Sequence, residues 1–90
     1  SQYHQRITAS TSVSTPGIYS VGATCTVTLP TPSASTLGHV YSINSTGVYT
    51  VTIAPGASII GYTPSISGVG RLRFEGVQTG ASSYAWLCGA

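Results

Sequence analysis

The chain is poor in charge: it has no Lys and no Asp, and Arg6, Arg71, Arg73 and Glu75 are its only charged side chains. Charged residues make up 4% of the sequence, whereas an ordinary globular domain has about 25%. A nucleic-acid-binding face needs several Lys or Arg side chains on one side of the molecule. The composition therefore excludes nucleic acid as a partner, and we expect Arg71, Arg73 and Glu75 to form a solvated or inter-subunit charge patch.

The scarcity of carboxylates also limits the possible chemistry. Glycoside hydrolysis requires two carboxylates, and Glu75 is the only one in the chain. A standard Ser-His-Asp triad is excluded because Asp is absent. Cys25 or Cys88 could pair with His39 as a nucleophile, but cysteines on an apolar strand face are more often core residues. We therefore predict a protein that is not an enzyme, with no catalytic residues and no cofactor.

Methionine and long apolar runs are absent as well. The sequence begins with Ser and contains no Met, and we expect it to be a piece of a longer chain that continues upstream. No apolar run approaches the roughly 20 residues that a membrane-spanning helix needs. The sequence therefore predicts no membrane insertion.

Cysteine and histidine are too few to indicate a metal site. Cys25 and Cys88 have neither a metal-ligand spacing nor a CxxC spacing, so they form either one disulfide or two buried thiols. His4 and His39 are isolated in sequence. Three copies of either His around a trimer axis could hold a metal, but we expect hydrogen-bonded or surface histidines and predict no metal site.

Small hydroxyl side chains take the place of charge. Ser and Thr account for 27 of the 90 residues, and hydrophobic residues still make up 41%. This apolar content is too high for a disordered chain. Helix-favouring residues are scarce, and apolar and polar residues alternate with the period of two that indicates β-strands.

Seven to eight short strands follow from this alternation. One face of residues 24–29 carries Cys25, Val27 and Leu29, and Leu72 and Phe74 alternate with the charged side chains of residues 71–77. The remaining predicted strands cover residues 3–9, 18–21, 37–43, 48–53, 58–61 and 84–88. Reversals every few residues favour a small all-β, antiparallel sandwich or barrel-like domain. The absence of a fixed repeat argues against a β-solenoid.

The connecting segments are predicted from turn chemistry. Residues 44–47, Asn-Ser-Thr-Gly, have the residue types of a tight β-hairpin loop. Two prolines should keep residues 30–36 out of regular structure. Residues 64–70 are predicted to be a loop with bends at its glycines.

A resemblance to a known family covers roughly residues 24–86. The landmarks are Val27-Thr28-Leu29-Pro30, Val40-Tyr41-Ser42-Ile43-Asn44, Gly47, Thr50-Val51-Thr52-Ile53, Pro55, Gly61 and the segment from Gly76 to Trp86. In these features the chain resembles a small β-domain of bacteriophage tail fibres and tailspikes. The resemblance departs at Thr79-Gly80-Ala81, where an Asp-Gly turn is expected.

The resemblance implies a homotrimeric knob in a virion, assembled in the host cytoplasm. Residues 1–23 would then be an N-terminal strand and a connection to an upstream stalk or domain, and residues 24–90 the fibre-type β-domain of a single compact unit. The implied function is structural and in host adsorption, without catalysis, with bacterial surface glycan as the ligand. A reducing bacterial cytoplasm favours free thiols over a disulfide.

Two other functions suit the same composition. One is a trimerisation or virion-attachment cap without a ligand of its own, and the other is a carbohydrate-binding module of an enzyme. If the domain binds glycan, the predicted ligand residues are Tyr62, Thr63 and Asn44, within the candidate contact loops 30–36, 44–47 and 60–67. Tyr62 lies in a Gly-Tyr-Thr-Pro loop, where its ring could stack on a sugar.

Overall fold

The structure is a computed structural model that describes residues 2–90. It consists of short β-strands and two single-turn 3-10 helices, Ala34–Thr36 and Gly56–Ser58. Neither helix is long or apolar enough to cross a membrane. The strands are β1 (Tyr3–Ile7), β2 (Thr11–Ser12), β3 (Gly17–Val21), β4 (Cys25–Thr28), β5 (Val40–Ser45), β6 (Thr50–Ala54), β7 (Ile59–Gly61), β8 (Ser65–Ser67), β9 (Gly70–Gln78) and β10 (Tyr84–Gly89).

The strands form two sheets around one core. The six-stranded sheet has the order β1-β3-β5-β9-β10-β7, and the four-stranded sheet has the order β2-β4-β6-β8. From β1 to β6 the chain alternates between the sheets, so each coil adds one strand to each of them. β8 and β9 then run antiparallel to β6 and β5, and β10 pairs antiparallel with β9.

The prediction of an all-β sandwich is confirmed at this coarse level, but the prediction that all strands are antiparallel is wrong. β1, β3 and β5 are parallel neighbours, as are β2, β4 and β6. β7 also runs parallel to β10. The first six strands therefore wind as a short solenoid, which the lack of a repeat argued against. The coils are unequal in length: Tyr3 aligns with Gly17, and Gly17 aligns with Tyr41.

The predicted hairpin at residues 44–47 is also wrong. Asn44 and Ser45 belong to β5 in one sheet, whereas β6 lies in the other sheet and pairs with β4 and β8. A two-residue hairpin turn of the primed type requires positive φ angles, and neither Asn44 nor Gly47 has one. Residues 46–49 therefore carry the chain across from one sheet to the other.

Two predicted loops contain regular structure. Residues 30–36 include the first 3-10 helix, which a capping box between Ser33 and Thr36 closes. Residues 64–70 include β8, which pairs with β6 and buries Ile66. A period-two signal over three residues is too short to stand out between glycines and a proline.

The core contains the apolar side chains that the alternation predicted in β4 and β9. Its largest fully buried side chains are Trp86, Tyr19, Tyr41 and Phe74. The Trp86 ring packs edge-on against Tyr41, with ring centroids 5.3 Å apart. The Trp86 indole N–H donates to the Pro30 carbonyl at 2.9 Å. This bond fastens the loop after β4 to the six-stranded sheet.

Cys25 and Cys88 are both buried and free, in agreement with the favoured interpretation. Burial raises the pKa of each thiol above its ordinary value because the apolar surroundings disfavour a thiolate. Both cysteines pack in the hydrophobic core, while His39 is exposed. The alternative of a Cys-His nucleophile pair is therefore not supported by their positions.

Candidate ligand-binding face

The outer surface of the six-stranded sheet carries all the charged side chains of the sequence. β1 turns Ile7 inward and leaves Arg6 outside, and β9 buries Leu72 and Phe74 between Arg71, Arg73 and Glu75. Because side chains of a strand alternate between its faces, these charges share the face opposite the core. We call this surface the charged face; it comprises the outward side chains His4, Arg6, Ile18, Ser20, Val40, Ser42, Asn44, Arg71, Arg73 and Glu75.

Arg71 and Asn44 form the best-defined polar contact of the charged face. Antiparallel pairing of β5 with β9 sets the two residues directly opposite each other. The Arg71 Nε–H donates to Asn44 Oδ1 at 2.7 Å. This bond fixes the orientation of a long side chain on an exposed sheet surface.

Arg73 and Glu75, which follow Arg71 on β9, form an ion pair. The Arg73 Nη1 group lies 3.2 Å from Glu75 Oε1, with the two side chains 51% and 38% exposed. Exposed pairs of this kind contribute little to stability. The pair is exposed in the single chain, as a solvated or an inter-subunit charge patch would be, and Arg71 is bound to Asn44 instead.

A shallow groove of about 320 Å³ runs over the centre of the charged face. Its walls are polar at Ser42, Asn44, Arg71 and Arg73 and apolar at Ile18 and Val40, and Gln2 and Ala90 complete it. A second shallow cavity of about 340 Å³ lies on the other side of the Asn44–Arg71 pair and extends to Ser45, Val69 and Gly70. We call the two cavities together the Arg71 groove. Asn44 and Arg71 line both parts.

The structure separates the three predicted ligand residues. Asn44 lies in the Arg71 groove, on β5. Tyr62 and Thr63 follow β7, which is the opposite edge strand of the sheet and three strands away from β5. With strands spaced about 4.8 Å apart, that separation is roughly 14 Å. Asn44 and Tyr62 therefore cannot belong to one small binding site.

The Tyr62 side chain is nevertheless accessible. It is 60% exposed, and its backbone N–H donates to the Cys88 carbonyl at 3.0 Å, which anchors the loop to β10. Thr63 beside it is also exposed. The exposure of Tyr62 leaves its ring accessible to a ligand, and its role in binding stays a prediction.

Sequence reasoning missed Ile18, Ser42 and Val40 as groove residues. Ile18 and Ser42 are neighbours only because β3 and β5 are parallel, a pairing that the predicted antiparallel fold does not contain. The alternation of side chains along β5 is enough to predict that Val40, Ser42 and Asn44 lie on the same face of the sheet. That signal was present in the sequence, since Tyr41 and Ile43 alternate with them.

The histidines are surface residues. The His4 Nε2 atom lies 3.2 Å from the Ser20 hydroxyl on the charged face, and His39 is exposed before β5. Within residues 2–90, no three His, Cys, Asp or Glu side chains come together in a way that could hold a metal ion.

Comparison with protein-family models, with curated proteins and with solved structures finds no match to this chain.

Proposed function

We propose that this chain is a non-catalytic structural and adsorption module of the phage tail-fibre type, which binds a bacterial surface glycan in the Arg71 groove. The observation that carries the proposal is the concentration of the scarce charged side chains on one sheet face, where Arg71 and Arg73 line a groove. A chain with four charges in 90 residues places all of them on the charged face. If these charged side chains served only to form surface ion pairs, they would not need to share one face of the molecule.

The composition of the groove suits a carbohydrate. Ligand sites typically combine apolar walls with a few well-placed polar groups, in volumes from about 300 Å³ upward. The groove offers the aliphatic side chains of Ile18 and Val40, and hydrogen-bonding groups on Ser42, Asn44 and Arg71. An open, shallow groove of this kind is accessible to an oligosaccharide that lies along the sheet.

The scaffold suits an adsorption module as well. Recognition is better defined when the side chains stand on rigid elements, and the groove residues of β3, β5 and β9 belong to central strands of the larger sheet. The resemblance to tail-fibre domains supports the location on a virion and the trimeric state. Three copies would add avidity to weak single sites.

The test is binding of the fluorescently labelled protein to a panel of bacterial envelopes and purified surface polysaccharides. The proposal expects saturable binding to at least one glycan, reduced severalfold by Asn44→Ala and unchanged by Thr52→Ala. Thr52 is an exposed residue of the four-stranded sheet and serves as the matched control. Absence of binding to every envelope and glycan would refute the proposal.

Tyr62→Ala in the same assay decides between the two candidate surfaces. If the Arg71 groove binds the glycan, the variant retains binding. Loss of binding in Tyr62→Ala with full binding in Asn44→Ala would move the site to the loop after β7.

A second candidate function, assembly without a ligand, is favoured by one feature. Val48 and Val69 are 94% and 77% exposed, in neighbouring loops that the Gly68 N–H to Tyr49 carbonyl bond holds together. Apolar side chains exposed to this degree suit a contact with another chain. In the binding assay, this candidate expects no glycan binding from a correctly folded oligomer.

A further inference from the structure

The positive charge at the Arg71 groove is not fully neutralised by nearby acidic side chains. The charged face holds Arg6, Arg71 and Arg73 but only one acidic side chain, Glu75. Glu75 accepts a hydrogen bond from Arg73 and lies beyond it on β9. The only acceptor that reaches the Arg71 side chain within residues 2–90 is the neutral amide oxygen of Asn44.

Arg71 is held in a position from which it can bind an anion. Asn44 occupies the Nε–H, and no described residue accepts a hydrogen bond from the two Nη groups. A guanidinium presents paired N–H groups that match the geometry of a carboxylate or a phosphate. Orienting the side chain in advance reduces the entropy that binding would cost.

Glu75 determines which part of the groove is suited to an anion. Outward residues on β9 recur every second position, about 6.8 Å apart, so Glu75 is roughly 13.6 Å along the strand from Arg71. A negative group near Arg71 therefore avoids most of the repulsion from Glu75. Arg73 lies between them, and only its Nη1 group is bound to Glu75.

Resting on the proposed function, we infer that the Arg71 groove selects an acidic sugar, whose carboxylate or phosphate binds Arg71 and faces Arg73. The aliphatic side chains of Ile18 and Val40 contact the C–H face of the sugar ring. The Ser42 hydroxyl forms no hydrogen bond with another described residue and is free to bind a sugar hydroxyl. Neighbouring sugars of the chain extend past Asn44 into the second cavity.

The test compares one glycan with and without its charge. The first probe is an oligosaccharide of alternating glucuronic acid and N-acetylglucosamine, and the second is the same oligosaccharide after chemical reduction of its carboxyls to primary alcohols. A third probe, an oligosaccharide carrying phosphate monoesters, distinguishes the two anionic groups. Affinities are measured by calorimetry in low and moderate salt, because a partly exposed charge contact weakens as salt screens it.

We expect at least one acidic probe to bind about tenfold or more tightly than the reduced one, since hydrogen bonds to charged groups are the strong ones. Arg71→Gln should remove that difference, so that the charged and the reduced probes bind with similar affinity. Arg6→Gln is the matched control, because it makes the same charge change on the edge strand of the same face. It should retain the preference for the acidic probe.

The outcomes separate the inference from the proposed function. Equal binding of charged and reduced probes, or a preference that survives Arg71→Gln, would overturn the acidic-sugar inference and leave a neutral-glycan module. Binding to bacterial envelopes without binding to any acidic probe would overturn it in the same way. Absence of binding to all probes and all envelopes would remove the proposed function itself.

Discussion

Trp86 joins the core to the loop after β4 through a single hydrogen bond. Replacing it by Phe keeps an aromatic ring but removes the N–H that binds the Pro30 carbonyl. We expect Trp86→Phe to lower the free energy of unfolding by about 1–3 kcal/mol, from the lost bond and the smaller ring. Urea unfolding followed by circular dichroism measures this loss.

Tyr84→Phe is the matched control for that change. Tyr84 lies on the same strand and is only half-buried, so loss of its hydroxyl should change stability by no more than about 0.5 kcal/mol. Equal losses in the two variants would show that the bond to Pro30 contributes nothing specific.

The two buried thiols predict a pH dependence of stability. Burial raises the pKa of Cys25 and Cys88, so in the alkaline range the folded state keeps protons that the unfolded state releases. Stability is therefore fully present below the unfolded thiol pKa of about 8.5 and decreases as the pH rises above it. Burial also raises the pKa of Tyr19 and Tyr41, which adds to the decrease at still higher pH.

The measurement is the midpoint of urea unfolding between pH 7 and pH 10, in the wild type and in the Cys25→Ala, Cys88→Ala double variant. The double variant should fold, with a cost of roughly 1–3 kcal/mol from lost packing, and should show a smaller decrease between pH 8 and pH 10. Identical pH profiles would mean that the thiols do not contribute. Thiol labelling of the unfolded wild type without reductant should find two reactive groups per chain.

At the scale of single residues, alternation predicted the core of β4 and β9 well. Cys25, Val27 and Leu29 are buried as expected, and so are Leu72 and Phe74. It placed the start of β5 too early: the predicted strand begins at residue 37, whereas β5 begins at Val40 and leaves His39 exposed before it. The boundary moved because Gly38, with a positive φ, turns the chain immediately before β5.

Among the elements, the loop before β5 docks on β9 through a glycine. The Gly76 N–H donates to the His39 carbonyl, and the Gly76 carbonyl accepts from the Gly38 N–H. A Cβ at Gly76 would overlap the carbonyl oxygen of Thr36, a backbone atom that cannot move aside easily. We expect Gly76→Ala to destabilise the fold by about 2 kcal/mol or more, through the steric overlap and the displaced loop.

Gly56→Ala is the matched control, since a Cβ there meets nothing within 4 Å. Thermal unfolding should show a clearly lower midpoint for Gly76→Ala and little change for Gly56→Ala. A similar midpoint for both variants would contradict the close packing of the loop on β9.

The order of the elements could be predicted only in part, because strand pairing is not a local property. The antiparallel pair β9 and β10 follows from a short turn, and the alternation on both sides predicted it. The parallel pairs join residues far apart in sequence, and nothing local distinguishes a crossing between sheets from a hairpin. The Asn-Ser-Thr-Gly segment had suitable residue types for a hairpin, yet the chain crosses to the other sheet there.

For the whole molecule, the unequal coils explain why the solenoid had no visible period. The alignment of Tyr3, Gly17 and Tyr41 corresponds to coils of 14 and 24 residues. The second coil is longer because it carries the loop with the first 3-10 helix between β4 and β5. The Arg71 groove could not be predicted from the sequence for the same reason. Its residues lie on three strands, and their order in the sheet depends on the parallel pairing.

The oligomeric state is the prediction that belongs to the molecule as a whole. A chain of this size buries a thin core, and side chains such as Val48 remain almost fully exposed. The proposed fibre module is a homotrimer, so light scattering at micromolar concentration should give three times the chain mass of 9.2 kDa. If the trimer contact includes the Val48 and Val69 loops, Val48→Ser should lower the mass while the chain keeps its fold, because the Val48 side chain is 94% exposed within one chain. A stable particle of 9.2 kDa would contradict the trimer and leave the Arg71 groove as a single-site module.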